Sequence, residues 1–155
     1  MEAISQNTSI VKMKTKFTLR EIVTEKEMLS LFPLVKQLST HLKKSDYKIM
    51  LKDMLAHGYR MASAFDGNKC VGLSGFWIST KIYSGKYVEL DNVVIDKNYR
   101  SQGVGKLLCD WIIREAKRLG CKTAMLDAYV ENSSGHKFYY REGYIIRGFH
   151  FLKKI

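Results

Sequence analysis

Val93-Val94-Ile95-Asp96-Lys97-Asn98-Tyr99-Arg100-Ser101-Gln102-Gly103-Val104-Gly105-Lys106-Leu107-Leu108 runs from β-branched residues through a polar turn into a glycine-flanked helix start. Upstream, residues 86–95 read as a strand. Downstream, Val104, Leu107, Leu108, Trp111, Ile112, Ala116 and Leu119 form one apolar stripe, which predicts a helix over 103–119 ended by Gly120. The first N–H groups of such a helix lack intrahelical partners, and the helix dipole adds positive charge beside them. Together they suit a phosphate or pyrophosphate. Gly103 and Gly105 carry no Cβ to hold phosphate oxygens away from the amides, and Arg100 and Lys106 add formal charge. The turn lacks the spacing of a Walker A loop, and Leu108 stands where a dinucleotide-binding GxGxxG needs its last glycine.

Outward from this turn, the pattern predicts one domain. Residues 1–16 are polar and read as a flexible N-terminal arm. Strands are expected over 17–23, 59–65, 70–79, 86–95, 123–130, 144–147 and 150–153. A capping box, Thr24-Glu25-Lys26-Glu27, opens a helix that Pro33 kinks or restarts. Ser45 is the expected cap of a second helix ending at Gly58, and Ser133 or Ser134 starts a short one stopped at Gly143. The order is strand, two helices, three strands, helix, strand, helix, two strands, a mixed α/β (α+β) arrangement without repeat or linker.

The chain has 155 residues and a net charge of +11. The positive charge is divided almost evenly on either side of residue 98, so it forms no basic tail. No helix-turn-helix, RNA-binding or zinc-finger pattern accompanies it, which disfavours nucleic acid as a partner. The three cysteines, Cys70, Cys109 and Cys121, form no CxxC or Cys/His metal spacing. Cys70, in a strand pattern, and Cys109, in a helix, read as small core residues, and no metal is expected. No apolar run is long enough for a membrane span, and no leader pattern opens the chain, so the expected location is the cytoplasm.

Arg100-x-x-Gly103-x-Gly105, after a Val-Val-Ile strand, resembles motif A of the GNAT N-acetyltransferase superfamily. Asn132-Ser133-Ser134-Gly135-His136-Lys137-Phe138-Tyr139-Tyr140-Arg141-Glu142-Gly143-Tyr144 resembles that family's N-x-x-A-x-x-F-Y-x-x-x-G-F segment, with Gly135 for alanine and Tyr144 for phenylalanine. The resemblance covers residues 17–155, read as a single N-acetyltransferase domain. It implies a GNAT fold: a mostly antiparallel twisted sheet of six to seven strands, splayed at the cofactor cleft and flanked by four helices. It implies acetyl-CoA as acetyl donor and an amine, in a small molecule or a protein, as acceptor attacking directly in a ternary complex. The cofactor pyrophosphate would lie on amides around Gln102, Gly103, Val104, Gly105 and Lys106, beside Arg100. The pantetheine arm would follow Val93, Val94 and Ile95, and a bulge there would free an amide to polarise the thioester carbonyl.

Transfer to an amine needs the ammonium deprotonated, and a carboxylate is the usual base. Glu89 and Asp91 stand two apart on the strand, on one face if it is regular there. By resemblance Glu89 is favoured as base, with Asp91 as ammonium ligand or alternative base. Tyr139 matches the family tyrosine that hydrogen-bonds or protonates the leaving thiolate. Asn132 matches a residue that holds the cofactor arm and could equally cap a helix. His136 shares a helix face with Tyr139 and could contact the cofactor. A homodimer is expected by analogy. Two other readings stand beside it: a CoA-binding protein without catalysis, and a basic nucleic-acid-binding module.

Overall fold

The computed structural model describes residues 16–155, so all of the expected arm except Lys16 lies outside the described residues. Five strands form one sheet in chain order, β1 (Phe17–Ile22), β2 (Arg60–Asp66), β3 (Lys69–Lys81), β4 (Gly85–Ile95) and β5 (Thr123–Leu126). The first four are antiparallel neighbours, and β4 and β5 run parallel. A parallel pair needs a crossover, and α4 (Val104–Arg118) supplies it. The other helices are α1 (Glu25–Ser30), α2 (Phe32–Leu38), α3 (Lys44–Ala56) and α5 (Ser133–Arg141).

Local sequence accounts for most of these boundaries. Thr24 Oγ1 accepts the Glu27 N–H at 3.2 Å and caps α1. Pro33 falls in the first turn of α2, where a missing N–H costs nothing, so the apolar run divides into two helices at Leu31. This makes five α-helices among the described residues where the pattern predicted four. Helix α3 starts with Lys43 as its cap rather than Ser45. The Ser45 hydroxyl instead donates to Asp46 Oδ1 at 3.1 Å. Gly120, with φ +83°, follows the end of α4 as expected.

Two cores sandwich the sheet. On one face Val104, Leu108, Cys109, Ile112 and Ala116 of α4 pack on Ala62, Ala64, Val71, Phe76, Val88 and Leu90. Small strand residues let the helix approach: a Cβ on Gly72 would lie 2.8 Å from Val104 Cγ1. On the other face Met28, Leu34, Val35, Tyr47 and Leu51 of α1–α3 pack on Ile22, Met61, Leu73 and Val94. Each fully buried aliphatic side chain contributes about 1.5–3 kcal/mol relative to exposure.

Among the described residues the sheet has five strands rather than six or seven. Residues 144–155 form no strand, although 144–153 carry a strand-like pattern. Strand propensity is realised only by pairing and packing. Here Ile145, Ile146, Phe149, Phe151 and Leu152 are exposed, and the side-chain ties of this segment are the Tyr144 ring on Tyr139 and His150 Nδ1 to Asp127 Oδ2 at 2.9 Å. Strand β5 also stops at Leu126, short of the expected 130, where its ladder with β4 ends at Leu90.

Candidate active site

The loop between β4 and α4 is shaped by two left-handed residues. Asp96, buried at the end of β4, accepts the Asn98 N–H at 2.9 Å and starts a single 3-10 turn, Lys97–Tyr99. That hydrogen bond and the nearby Lys69 ammonium hold its carboxyl below the usual range. Sequence reading passed over Asp96, although Asp-x-Asn directly after a strand signals an Asx turn. Ser101 then takes φ +59° and Gly103 φ +82°, and Gly103 becomes the cap of α4. A side chain at 103 would meet open space, so glycine is needed there for its backbone. Gly105 differs: its missing Cβ would lie 3.2 Å from Phe138 Cζ, so it lets α5 close on α4.

The charges of the loop are unevenly committed. Arg100 is exposed, with Nε 3.5 Å from the Ile95 carbonyl. Gln102 Nε2 donates to the Asn98 carbonyl at 3.0 Å. Lys106 already lies 3.2 Å from both Asp110 and Glu142, which raise its pKa. A cavity of about 400 Å³ opens beside the loop, lined by Gln102, Gly103, Lys106, Leu107 and Asp110 among others.

Strand β4 opens ahead of this loop. Its ladder with β5 runs from Tyr87–Thr123 to Leu90–Leu126 and ends. Among the described residues no strand pairs with that edge of 91–95. On the β3 side Gly75 opposes Asp91 and Leu73 opposes Val94, so Asn92 and Val93 together oppose Ser74. This is a β-bulge, with Asn92 at φ +52°. The extra residue inverts the facing of the strand. Before it Val88 and Leu90 face α4; after it Val93 and Ile95 do, and Val94 joins the opposite core.

Glu89 and Asp91 precede the bulge, where the strand is regular, and share the face opposite Leu90. Glu89 stands across from Trp77, and Asp91 Oδ2 accepts the Trp77 indole N–H at 3.2 Å. Both carboxylates are half-buried.

Helix α5 carries the remaining residues. Asn132 Oδ1 accepts the Gly135 N–H at 3.0 Å and caps the helix. His136 Nε2 lies 2.9 Å from the Tyr129 carbonyl, so its ring anchors the loop before α5. Tyr139 packs between Phe138 and Tyr144, with centroids at 5.2 and 5.8 Å. Burial pushes its phenol up to about 12. The Phe138 ring against Gly105 and the Lys106–Glu142 pair dock α5 on the first turn of α4. Burial also pushes the Cys109 thiol up to about 12, so it stays a protonated core residue. Among the described residues no cluster of three potential metal ligands occurs, and no helix is long and apolar enough to cross a membrane.

Comparison with known proteins agrees with this architecture. The chain is 22% identical over 139 residues to YhdJ, an uncharacterised N-acetyltransferase of Bacillus subtilis, covering 88% of this chain and 98% of that one. It is 26% identical over 98 residues to the aminoalkylphosphonate N-acetyltransferase of Salmonella typhimurium, covering 63% of this chain and 62% of the relative. Its fold is similar to that of the aminoglycoside N-acetyltransferase AAC(6')-Iy in complex with CoA, with a TM-score of 0.77, 20% identity, and coverage of 90% and 95%. Residues 26–144 match the acetyltransferase (GNAT) family, and with two motifs, an opened β4 and a left-handed turn into α4 in place, the chain belongs to that family.

Proposed function

We propose that residues 17–155 are a single domain that transfers the acetyl group of acetyl-CoA to a primary amine, by direct attack in a ternary complex. The observation that carries this reading is the free edge of β4 at 91–95, immediately ahead of the N-terminus of α4. The two features suit the two ends of one ligand, an amide-bearing arm and a pyrophosphate. The left-handed Gly103 fits the same ligand, because a residue with a Cβ would strain the turn that presents the amides. In this assignment Gln102, Gly103, Val104, Gly105 and Lys106 hold the pyrophosphate through backbone N–H groups, with Arg100 adding charge. Val93, Val94 and Ile95 hold the arm. Asn132 commits its Oδ1 to the cap, which leaves its amide N–H groups to donate to the arm. His136 supports the site by fixing the loop before α5.

When bound, acetyl-CoA supplies an activated acyl group and a thiolate leaving group. Glu89 is the base that takes a proton from the acceptor ammonium. One oxygen of Asp91 already receives the Trp77 N–H, whereas no side-chain hydrogen bond engages the Glu89 carboxylate among the described residues. Asp91 then serves as ammonium ligand. Tyr139, with its phenol raised to about 12, keeps its proton at neutral pH and can donate a hydrogen bond to the departing sulfur.

For the acceptor, the segment over α2 and α3 carries Lys36, Lys43, Lys44, Lys48 and Lys52 against Asp46 and Asp53. That balance favours an amine bearing an anionic group over a polyamine. We further place the protein in the cytoplasm, as a homodimer. Titration with acetyl-CoA, followed by thiol release across aminoalkylphosphonates, aminoglycosides and polyamines, tests the reading. Absence of binding at high micromolar acetyl-CoA sinks it. Binding without turnover on any amine favours a catalytically silent CoA-binding protein. Glu89→Gln and Tyr139→Phe should each lower turnover about tenfold or more, with smaller changes in acetyl-CoA affinity.

A further inference from the structure

The β4 bulge rests on a residue in an uncommon conformation. Asn92 has φ +52° without being glycine, and such a residue persists only where its surroundings over-determine it. Two aromatic side chains grip the bulge. The Asn92 side chain sits beside the hydroxyl of Tyr59. The Trp77 indole N–H donates to Asp91, the preceding residue. The two rings pack on each other with centroids 5.1 Å apart. Tyr59 is 4% exposed and enters from the start of β2, so it reaches the bulge across β3. It can do so because residue 75 is glycine: a Cβ there would lie 2.0 Å from the Tyr59 oxygen. Glycine in a strand interior often marks such a close approach.

We propose that Tyr59 and Trp77 form an aromatic brace that holds the bulge, and that Tyr59 is thereby a positioning residue for the amide edge of 92–94. The proposal rests on the reading of that edge as the acetyl-CoA arm site. Neither aromatic touches the reacting atoms. They act by fixing the direction in which the β4 amides point, and misplacement by about 1 Å can cost a hundredfold in rate.

The test uses Tyr59→Phe, which keeps the ring and removes the hydroxyl, and Asn92→Gly, which keeps a left-handed backbone accessible and removes the carboxamide. Hydrogen exchange on the full chain is read first, without ligand. Amides of 91–95 should exchange about tenfold faster in either variant, while those of β1 and β2 are unchanged, since local opening is separable from global unfolding. In turnover assays Tyr59→Phe should lower kcat about tenfold and change the KM for acetyl-CoA much less. In the Asn92→Gly background it should cost nothing further, because both changes break the same contact. Unchanged exchange at 91–95, or an equal loss in both backgrounds, overturns the brace. If Tyr59→Phe does not fold, Asn92→Gly alone decides the matter through the same exchange measurement. If the wild-type protein binds no acetyl-CoA, the functional reading fails, and exchange still decides whether the brace exists.

Discussion

Asn132 shows how one residue serves the fold and leaves capacity for a ligand. Its Oδ1 caps α5, and its Nδ2 lies 2.4 Å from where a Cβ on Gly135 would stand. This bears on the departure from the family pattern at 135. Alanine in a helix is worth up to about 1 kcal/mol over glycine, but here it would push the Asn132 side chain from its cap, which costs about 1 kcal/mol. Gly135→Ala is therefore expected to leave the melting temperature unchanged or lower. In an Asn132→Ala background the same substitution should stabilise by about 1 kcal/mol, since there is no cap left to lose. Thermal denaturation of the four proteins reads this directly. The Asn132 cap was legible in the sequence as one of two open roles, but the commitment of Lys106 was not. Lys106 reads as a free cation beside the phosphate turn until Glu142, distant in sequence, is placed 3.2 Å from it.

Among the elements, α4 was the most legible, because its stripe, its glycine cap and its terminating Gly120 are all local signals. The β4 bulge was the least legible in the residues themselves, since no local signal in Asp91-Asn92-Val93 marks an inserted residue. Only the family resemblance implied one, and the extra residue shows itself in the register against β3. Long-range ion pairs escape the sequence for the same reason. Arg60 of β2 bonds Glu21 of β1 at 2.7 Å and Glu115 of α4 at 2.8 Å, tying helix to sheet. Arg118 and Arg60 together hold the Glu115 carboxyl at about 2, well below its ordinary 4.5. The folded state thus binds fewer protons than the unfolded chain between these values. The resulting stability is fully present above about pH 4.5 and is lost as pH falls toward 2. Glu115→Gln should lower the melting temperature at pH 7, and the gap should close across that acid window. A gap that stays constant down to pH 2 would show that the carboxylate charge is not what ties α4 to the sheet.

At the scale of the molecule, the segment after α5 bears on whether the chain acts alone. Its strand-like pattern in the sequence describes a strand but does not say which edge it joins, and among the described residues no strand pairs with it. Phe149 is 83% and Phe151 92% exposed, beside Ile145, Ile146 and Leu152. Strand β5, last in the sheet, has no partner on its outer side among the described residues, and such edges invite pairing with another chain. A second copy that offers residues 144–153 to β5 would cover both features, and a two-fold axis would repeat the exchange. An aromatic ring buries about 150–250 Å², so four phenylalanines and their aliphatic neighbours reach the roughly 1,000 Å² that a specific interface needs. Light scattering should therefore give twice the chain mass at micromolar protein. Phe149→Ser with Phe151→Ser should return the single-chain mass and leave acetyl-CoA affinity within about threefold, because neither ring contributes to the α4 turn or to the β4 edge. A wild-type protein of single-chain mass would remove the dimer. A double variant that stays dimeric would move the interface away from this segment.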